Sequence, residues 1–351
     1  MHIGLPREIK DGEFRVALTP AGVSELVRFG HEVVFEPNLG FAIGIANQAY
    51  ENAGARAGNP WDAELVVKVK ELQKPEYGLP RKGQTVFSFQ HFGPEPALLD
   101  AALASGATFI AFETVGQSDA SLPILAPMSA IAGRLAVQVG AWCLQKHNGG
   151  SGVLLSGAAG VPPGKVMIIG LGNVGSNALA VAHGLGASII AFAKSERRFP
   201  SLRRAYPNTT FKTQGLQDEI PFADLVIGGV LTPGQMSPKL ITRAMLRSMR
   251  PGSALVDVGI DQGGIAQTSR PTSHSGPVYV EEAVVHYCVP NMPAAVARTA
   301  SLALERAVMP FLNVLAVNGK SPEIKTGIQV HAGKVTHEFL ARDTGRPYHP
   351  L

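Results

Sequence analysis

A glycine-rich turn between an apolar run and a helical pattern constrains the fold of this chain more than any other feature. The turn reads Gly170-Leu171-Gly172-Asn173-Val174-Gly175; the apolar run before it is Lys165–Ile169, and the helical pattern after it covers residues 176–185. Glycines at this spacing allow a tight turn from a strand into a helix, and they let a pyrophosphate approach the first N–H groups of that helix. Because GxGxxG alone also occurs by chance, the flanking strand and helix decide the interpretation. The sequence therefore predicts a Rossmann-type dinucleotide-binding unit.

The strand that follows this unit ends without a carboxylate. An Asp or Glu at that position accepts hydrogen bonds from the adenosine ribose of NAD. Here Ala193 stands at the strand end, and a basic and hydroxyl-bearing cluster follows it: Lys194, Ser195, Arg197 and Arg198. This cluster favours the 2′-phosphate of NADP over NAD, although Glu196 could return a carboxylate to the ribose if the register shifts by three residues.

Short apolar runs alternate with helical patterns over most of the chain. The predicted strands are residues 2–5, 32–35, 65–70, 85–89, 108–112, 166–169, 188–193, 225–227, 255–258 and 278–280. The predicted helices include residues 20–29, 97–104, 129–146 and 302–317. Such alternation is typical of parallel sheets with helices on both faces. We predict an α/β fold of two doubly wound domains, with a Rossmann-type cofactor domain (129–305) inserted into a discontinuous substrate domain (1–128 and 306–351).

Composition excludes several classes of protein. Hydrophobic residues make up 45% and charged residues 17% of the 351, which excludes a disordered chain. The net charge of +4, without a run of basic residues, does not indicate a nucleic-acid partner. Cys143 and Cys288 form no CxxC pattern, so no metal site is expected. Charged residues near the start and the lack of an apolar run of about 18 residues predict a cytoplasmic protein with no membrane partner.

Several longer motifs carry a resemblance to a known family. They are Pro6-Arg7-Glu8-Ile9-Lys10, Arg15-Val16-Ala17-Leu18-Thr19-Pro20, Val67-Lys68-Val69-Lys70-Glu71, Leu125-Ala126-Pro127-Met128-Ser129, Ile260-Asp261-Gln262-Gly263-Gly264, Tyr287-Cys288-Val289 and Asn291-Met292-Pro293. With the glycine turn, they make the chain resemble the bacterial alanine dehydrogenase family, which is related to the NAD-binding subunit of proton-translocating transhydrogenase. The resemblance implies that a small L-amino acid and its 2-oxo acid plus ammonia are interconverted by hydride transfer with a nicotinamide cofactor.

A carboxylate substrate needs fixed cations. Arg15 can form a bidentate pair and Lys70 a point contact. On the predicted strand Lys68 lies on the same face as Lys70, so the residues alone do not choose between the two lysines. The resemblance selects Lys70 and adds Asn291 as a substrate-binding residue.

The resemblance also supplies the acid–base groups. It implies that His91 bonds the substrate oxygen and that Asp261 handles the proton transfers, both suited to general acid–base work. It places further residues near the cofactor: Ser129, Val230, Leu231 and Met292. It also suggests a homohexamer.

Two departures from the family pattern lie beside these residues. Ala130 stands where the family has Glu, and the turn after His91 contains Phe92 and Pro94. We expect them to change the substrate rather than the reaction, so that 2-oxo acids other than pyruvate are accepted. Two other functions fit the fold: a transhydrogenase-type nucleotide-binding subunit, and a nucleotide-binding regulator without turnover.

Overall fold

The computed structural model of the chain describes residues 1–117, 121–230, 236–319 and 321–351. These residues form two compact units. The first unit consists of Met1–Met128 and Ala294–Leu351, and the second unit of Ser129–Pro293. The predicted boundary at residue 305 lies inside one helix, Ala297–Ala316, whose residues all belong to the first unit.

The described residues contain the following elements. The strands are β1 (His2–Leu5), β2 (Glu32–Phe35), β3 (Arg56–Ala57), β4 (Leu65–Val67), β5 (Thr85–Ser88), β6 (Thr108–Ala111), β7 (Lys165–Ile169), β8 (Ser188–Phe192), β9 (Thr209–Lys212), β10 (Leu225–Gly228), β11 (Ala254–Asp257), β12 (Val278–Glu281), β13 (Val284–Tyr287), β14 (Ile328–His331) and β15 (Lys334–Val335). The α-helices are α1 (Pro20–Arg28), α2 (Asn47–Asn52), α3 (Pro96–Ser105), α4 (Leu125–Cys143), α5 (Asn173–Gly184), α6 (Phe199–Ala205), α7 (Leu216–Glu219), α8 (Arg243–Arg247), α9 (Ala297–Ala316), α10 (Pro322–Gly327) and α11 (Glu338–Thr344).

The sheet of the first unit is mainly parallel. Its strand order is β15-β14-β6-β5-β4-β1-β2-β3, and only the pairs made by β14 are antiparallel among its described strands. The chain order reverses between β4 and β1, which opens a crevice at the carboxyl ends of these strands. The central strand β4 is buried on both faces, as expected for a parallel strand covered by helices.

The second unit repeats this design. Its order is β12-β13-β11-β10-β7-β8-β9, and among these described strands the pairs are parallel except for the hairpin of β12 with β13. The order reverses between β10 and β7, so the turn after β7 opens at the crevice. The predicted α/β fold class, with two mainly parallel sheets, is confirmed.

Candidate functional site

In the first unit, three predicted site residues follow neighbouring strands of one sheet. Arg15 follows β1, Lys70 follows β4 and His91 follows β5, and the order β5-β4-β1 makes these strands adjacent. Because the strands are parallel, their carboxyl ends lie at one edge. The sheet therefore brings an arginine, a lysine and a histidine to the same crevice.

The structure distinguishes Lys68 from Lys70. The premise that both lie on one strand face is wrong, because β4 ends at Val67. Lys68 is 1% exposed, and its Nζ donates to the carboxylate of Glu76 at 2.8 and 3.0 Å. Lys70 Nζ lies 3.4 Å from the Glu71 carboxylate. Lys68 thus belongs to an internal ion pair, whereas Lys70 remains the lysine of the predicted substrate site.

Glu8 fixes the backbone that carries Lys70. Its Oε1 accepts the N–H groups of Val69 at 2.6 Å and Lys70 at 3.2 Å, and its Oε2 lies 3.6 Å from Lys68 Nζ. Burial raises the pKa of Glu8 to about 7, although Lys68 opposes this shift. The two motifs that contain Glu8 and Lys70 are therefore joined by direct contacts.

Lys70 itself lies in a charged group. Lys10 Nζ donates to the carboxylate of Glu71, which also faces Lys70. Although burial opposes the shift, Lys70, His91 and Lys10 hold the pKa of Glu71 down at about 2. Glu71 is therefore an anion at neutral pH that orients two lysines.

His91 has an unusual backbone conformation. Its φ is 47°, in the left-handed region that few residues other than glycine adopt. Its ring lies parallel to that of Phe89, with centroids 5.8 Å apart and an interplanar angle of 10°. Partial burial and the nearby Lys70 lower the pKa of His91 below its ordinary value of 6.5. The imidazole is therefore neutral at neutral pH.

In the second unit, the glycine turn has the geometry of a phosphate-binding loop. Gly170 has φ 93°, and a Cβ on Gly175 would lie 1.7 Å from the Gly170 carbonyl oxygen. Gly172 caps α5 without a side-chain hydrogen bond, and no described heavy atom lies within 4 Å of the position a Cβ would take there. Gly170 and Gly175 are thus required by packing, whereas Gly172 leaves open space in front of the helix.

Two neighbouring strand ends contribute to the same edge. Val230 follows β10, and a Cβ on Gly170 would lie 2.9 Å from its Cγ2. Asp261 lies in the short helix Val258–Gln262, which follows β11. A Cβ on Gly259 in that helix would lie 3.1 Å from the Val230 carbonyl oxygen. The glycine turn, Val230 and the segment of Asp261 are therefore contiguous.

Asp257, at the end of β11, holds the loop that carries Asp261. Its Oδ2 accepts the N–H of Ile265 at 2.7 Å and the hydroxyl of Ser269 at 2.5 Å. Burial raises the pKa of Asp257, and these hydrogen bonds oppose the shift. These contacts of Asp257, like those of Glu8 and Glu71, are not predicted from the sequence.

The basic cluster lies beside the glycine turn. Strand β8 ends at Phe192, one residue before the predicted end, so Ala193 directly follows it. The next residues, Lys194, Ser195, Glu196, Arg197 and Arg198, are exposed. Arg198 Nη1 donates to the Leu171 carbonyl at 2.5 Å, and Nη2 lies 3.3 Å from Ser176 Oγ. The guanidinium of Arg198 is therefore in contact with the turn.

The remaining predicted residues differ in their surroundings. Ser129 and Ala130 are half-buried in α4; Asn291 has φ 56°, and Met292 is buried beside it. Leu231 lies outside the described residues. Phe92 is 1% exposed and packs on Phe109, with ring centroids 5.7 Å apart. The ring of Phe92 therefore enters the core of the first unit, and the expected effect of Phe92 and Pro94 on substrate choice stays a prediction.

Two kinds of feature are absent from the described part of the chain. It contains no group of three or more His, Cys, Asp and Glu side chains that could hold a metal ion. No helix within it is long and apolar enough to cross a membrane.

Two mainly parallel α/β units, one with a glycine turn open at a helix N-terminus, define a two-domain protein of the dinucleotide-binding class. The model of the alanine dehydrogenase/PNT N-terminal domain matches residues 4–132, and that of the C-terminal domain matches residues 136–338. The chain belongs to this family, which confirms the resemblance. The family implies a nicotinamide nucleotide as cofactor.

Individual relatives match over the whole chain. The chain is 47% identical to an alanine dehydrogenase of Halomonas elongata, over 99% of this chain and 98% of the relative. It is 44% identical to that of Bacillus subtilis, over 100% and 96%. A solved L-alanine dehydrogenase superposes with a TM-score of 0.95 at 41% identity, covering 98% of this chain and 99% of the other. A transhydrogenase from Sinorhizobium meliloti gives 0.82 at 28% identity, covering 96% and 99%.

Proposed function

We propose that this protein is an amino-acid dehydrogenase that interconverts L-alanine, or a close relative, and its 2-oxo acid plus ammonia by hydride transfer with NAD(P). The observation that carries the proposal is the grouping of Arg15, Lys70 and His91 at the carboxyl edge of one sheet. A transhydrogenase-type subunit has no need of this substrate-binding set. The names of the relatives at 44% and 47% identity point the same way.

In the proposed mechanism, the cations of the first unit bind the substrate. Arg15, held in place by Glu13, and Lys70, held by Glu8 and Glu71, attract the carboxylate of the amino acid or 2-oxo acid. His91 hydrogen-bonds the oxygen on the reacting carbon. Because its pKa is lowered, its ring is neutral and can donate a hydrogen bond to that oxygen. Asp261 serves the proton transfers as water and ammonia exchange, and Asn291 contacts the substrate.

The second unit suits a nicotinamide dinucleotide. Gly170, Gly172 and Gly175, with Asn173 and Val174, would bind the pyrophosphate in the open space before α5. Ser129, Val230, Leu231 and Met292 would contact the rest of the cofactor. When bound, the nicotinamide supplies or accepts the hydride.

For the cofactor, we propose NADP(H) preference or dual use. Ala193 provides no carboxylate to repel a 2′-phosphate, and Lys194, Arg197 and Arg198 supply positive charge nearby. Arg198 is partly engaged with Leu171, which makes Lys194 and Arg197 the more available cations. The test is kcat/KM with each cofactor for the wild type and for Ala193→Asp. The substitution should shift the ratio toward NAD(H); a wild-type preference for NAD(H), or an unchanged ratio, would contradict the proposal.

A substrate screen tests the reaction. Pyruvate, 2-oxobutyrate and glyoxylate are each supplied with ammonium and a reduced nicotinamide cofactor, and cofactor oxidation is followed by absorbance. Oxidation that requires both ammonium and a 2-oxo acid supports the dehydrogenase. Cofactor binding without such oxidation would favour the regulator, and hydride exchange between two nicotinamide nucleotides would favour the transhydrogenase-type subunit.

We propose two further properties on the basis of the family resemblance: that the protein is a homohexamer and that it is cytoplasmic. Light scattering of the purified protein measures the assembly directly. A mass of six chains, each of 36.9 kDa, is expected, and a stable monomer would contradict it.

A further inference from the structure

A largely buried carboxylate lies beside His91 and has no part in the mechanism above. Glu113 follows β6, which pairs in parallel with β5, so Glu113 and His91 follow adjacent strand ends. Both oxygens of its carboxylate accept the N–H of Gln90, at 3.1 and 3.2 Å, and Oε1 accepts the N–H of His91 at 2.8 Å. Its side chain is 16% exposed. A single carboxylate therefore binds two consecutive backbone N–H groups.

These hydrogen bonds are made at a residue, His91, whose backbone conformation is energetically disfavoured. His91 adopts φ 47°, a conformation that persists only when its surroundings enforce it. Burial raises the pKa of Glu113, whereas the N–H groups of His91 and Gln90 and the charge of Lys70 oppose this shift because they favour the ionised form. Charge-assisted hydrogen bonds are stronger than neutral ones, so the ionised Glu113 carboxylate can offset this strain. Its contacts account for the conformation of residues 90 and 91.

The same carboxylate faces the imidazole ring. Nδ1 of His91 lies 4.0 Å from Glu113 Oε1, and the ring is stacked on Phe89. The two ring nitrogens point in different directions, so a ring with Nδ1 toward Glu113 turns Nε2 away from it. The side chain of His91 is 43% exposed, which leaves part of the ring open to a substrate.

We propose that Glu113 is the positioning residue of His91. It holds the backbone N–H groups of residues 90 and 91, with His91 in its left-handed conformation, and keeps Nδ1 on its own side, so that Nε2 is presented to the substrate oxygen. The proposal rests on the function proposed above for His91.

The charges around His91 determine what loss of Glu113 does. Besides Glu113, the ring faces the cations Lys10, Arg15 and Lys70, which lower its pKa, and the anion Glu71, which raises it. Removal of the Glu113 charge leaves the cations less opposed. The pKa of His91 then falls further, whereas a loss of packing alone would let water in and move it back toward 6.5.

The test uses the full chain and two variants. Glu113→Gln keeps the side-chain length but removes the charge; Glu113→Asp keeps the charge but shortens the side chain. The measurements are kcat and KM for pyruvate, and the pH titration of His91 by NMR, assigned by its loss in His91→Asn. Glu113→Gln should lower kcat by about 100-fold, as expected for a misplaced reacting group, with a smaller change in KM, and it should lower the His91 pKa. Glu113→Asp should keep the wild-type His91 pKa while kcat stays reduced.

Glu305→Gln provides a matched control. Glu305 is also a buried carboxylate of the first unit, and it accepts the N–H and the hydroxyl of Thr19. Its variant should lower the thermal midpoint without moving the His91 titration. Wild-type kcat and titration in Glu113→Gln, or an equal shift in Glu305→Gln, would overturn the proposal. If Glu113→Gln shifts the His91 pKa but His91→Asn retains kcat, the positioning stands and the proposed role of His91 fails.

Discussion

Glu13 binds the guanidinium of Arg15 through both of its carboxylate oxygens. Arg15 Nε donates to Oε1 at 2.7 Å, and Nη2 donates to Oε2 at 2.5 Å. The side chain of Arg15 is 2% exposed and that of Glu13 is 0% exposed. A bidentate pair of this kind fixes the plane of the guanidinium. Arg15 Nη1 contacts Met128 Sδ at 3.3 Å. Glu13 therefore orients the cation that we propose for the substrate carboxylate.

Arg15→Gln should raise KM for pyruvate about tenfold or more, because charge-assisted bonds contribute roughly 1.5–3 kcal/mol each. It should also destabilise the protein by about 3–5 kcal/mol, since Glu13 is left as a buried, unpaired charge. The double variant Glu13→Gln/Arg15→Gln should recover much of that stability but not the KM. Recovery of both would show that Arg15 has only a structural role. Chemical denaturation and steady-state kinetics provide the two readouts.

Replacement by alanine should have different effects on stability at two glycines of the same turn, Gly172 and Gly175. Gly172→Ala places a methyl group in open space, so the free energy of unfolding should change by less than about 1 kcal/mol while nucleotide binding weakens. Gly175→Ala forces a methyl group against the Gly170 carbonyl and should destabilise the protein by about 1–3 kcal/mol or more. Calorimetric titration with NADP and NAD, and thermal unfolding, measure both effects. Unchanged nucleotide affinity in Gly172→Ala would argue against the proposed pyrophosphate site.

Glu8 should make stability depend on pH near neutrality. Its folded-state pKa of about 7 lies above the ordinary 4.5, so its contribution is fully present below pH 4.5 and is lost as the pH rises through 7. Lys68, Glu13 and Glu76 are the charges that face it. Between pH 6 and 8, the wild type should lose about 1 kcal/mol of stability that Glu8→Gln does not lose. Unfolding curves at each pH measure this difference.

The control for Glu8 is Glu36→Gln, since Glu36 is a partly exposed carboxylate that also accepts a backbone N–H, that of Arg7. Its variant should follow the pH dependence of the wild type. Parallel curves for the wild type and Glu8→Gln would rule out titration of Glu8 in this range.

His91→Ala should abolish turnover while the nucleotide still binds, because the side chain acts on the substrate and lies in the other unit from the glycine turn. Acid–base groups typically supply roughly 10²–10⁴-fold in rate. Retention of more than about a tenth of the wild-type kcat would remove His91 from the mechanism. Equilibrium binding of NADP(H) to the same variant separates a catalytic loss from a folding defect.

The sequence predicts the elements that its local pattern encodes. Strands β1 and β2 have the predicted bounds, and α1 begins at the predicted Pro20, where Thr19 accepts the N–H of Ala21 as its cap. Hydrophobic periodicity and capping residues are local properties, so they are visible without the fold. The glycine turn is predicted for the same reason.

Other features depend on residues far apart or on weak signals. Strand β13 was missed because the turn before it is made by Glu282 and Ala283, at φ 51° and 59°, where Asn and Gly are the usual residues. The burial of Lys68 requires partners 8 and 60 residues away, and the contact of Glu113 with His91 spans 22 residues. Pairings of this kind become visible only once the sheet order is known.

The most direct test of the central claim is the stoichiometry of reductive amination. Purified protein is incubated with pyruvate, ammonium and NADPH or NADH, and both the L-alanine formed and the cofactor oxidised are quantified, with His91→Ala as the control. We predict one L-alanine per cofactor oxidised, strict dependence on both ammonium and pyruvate, and loss of both signals in His91→Ala. Cofactor oxidation without L-alanine formation, or no oxidation with pyruvate and ammonium, would contradict this prediction.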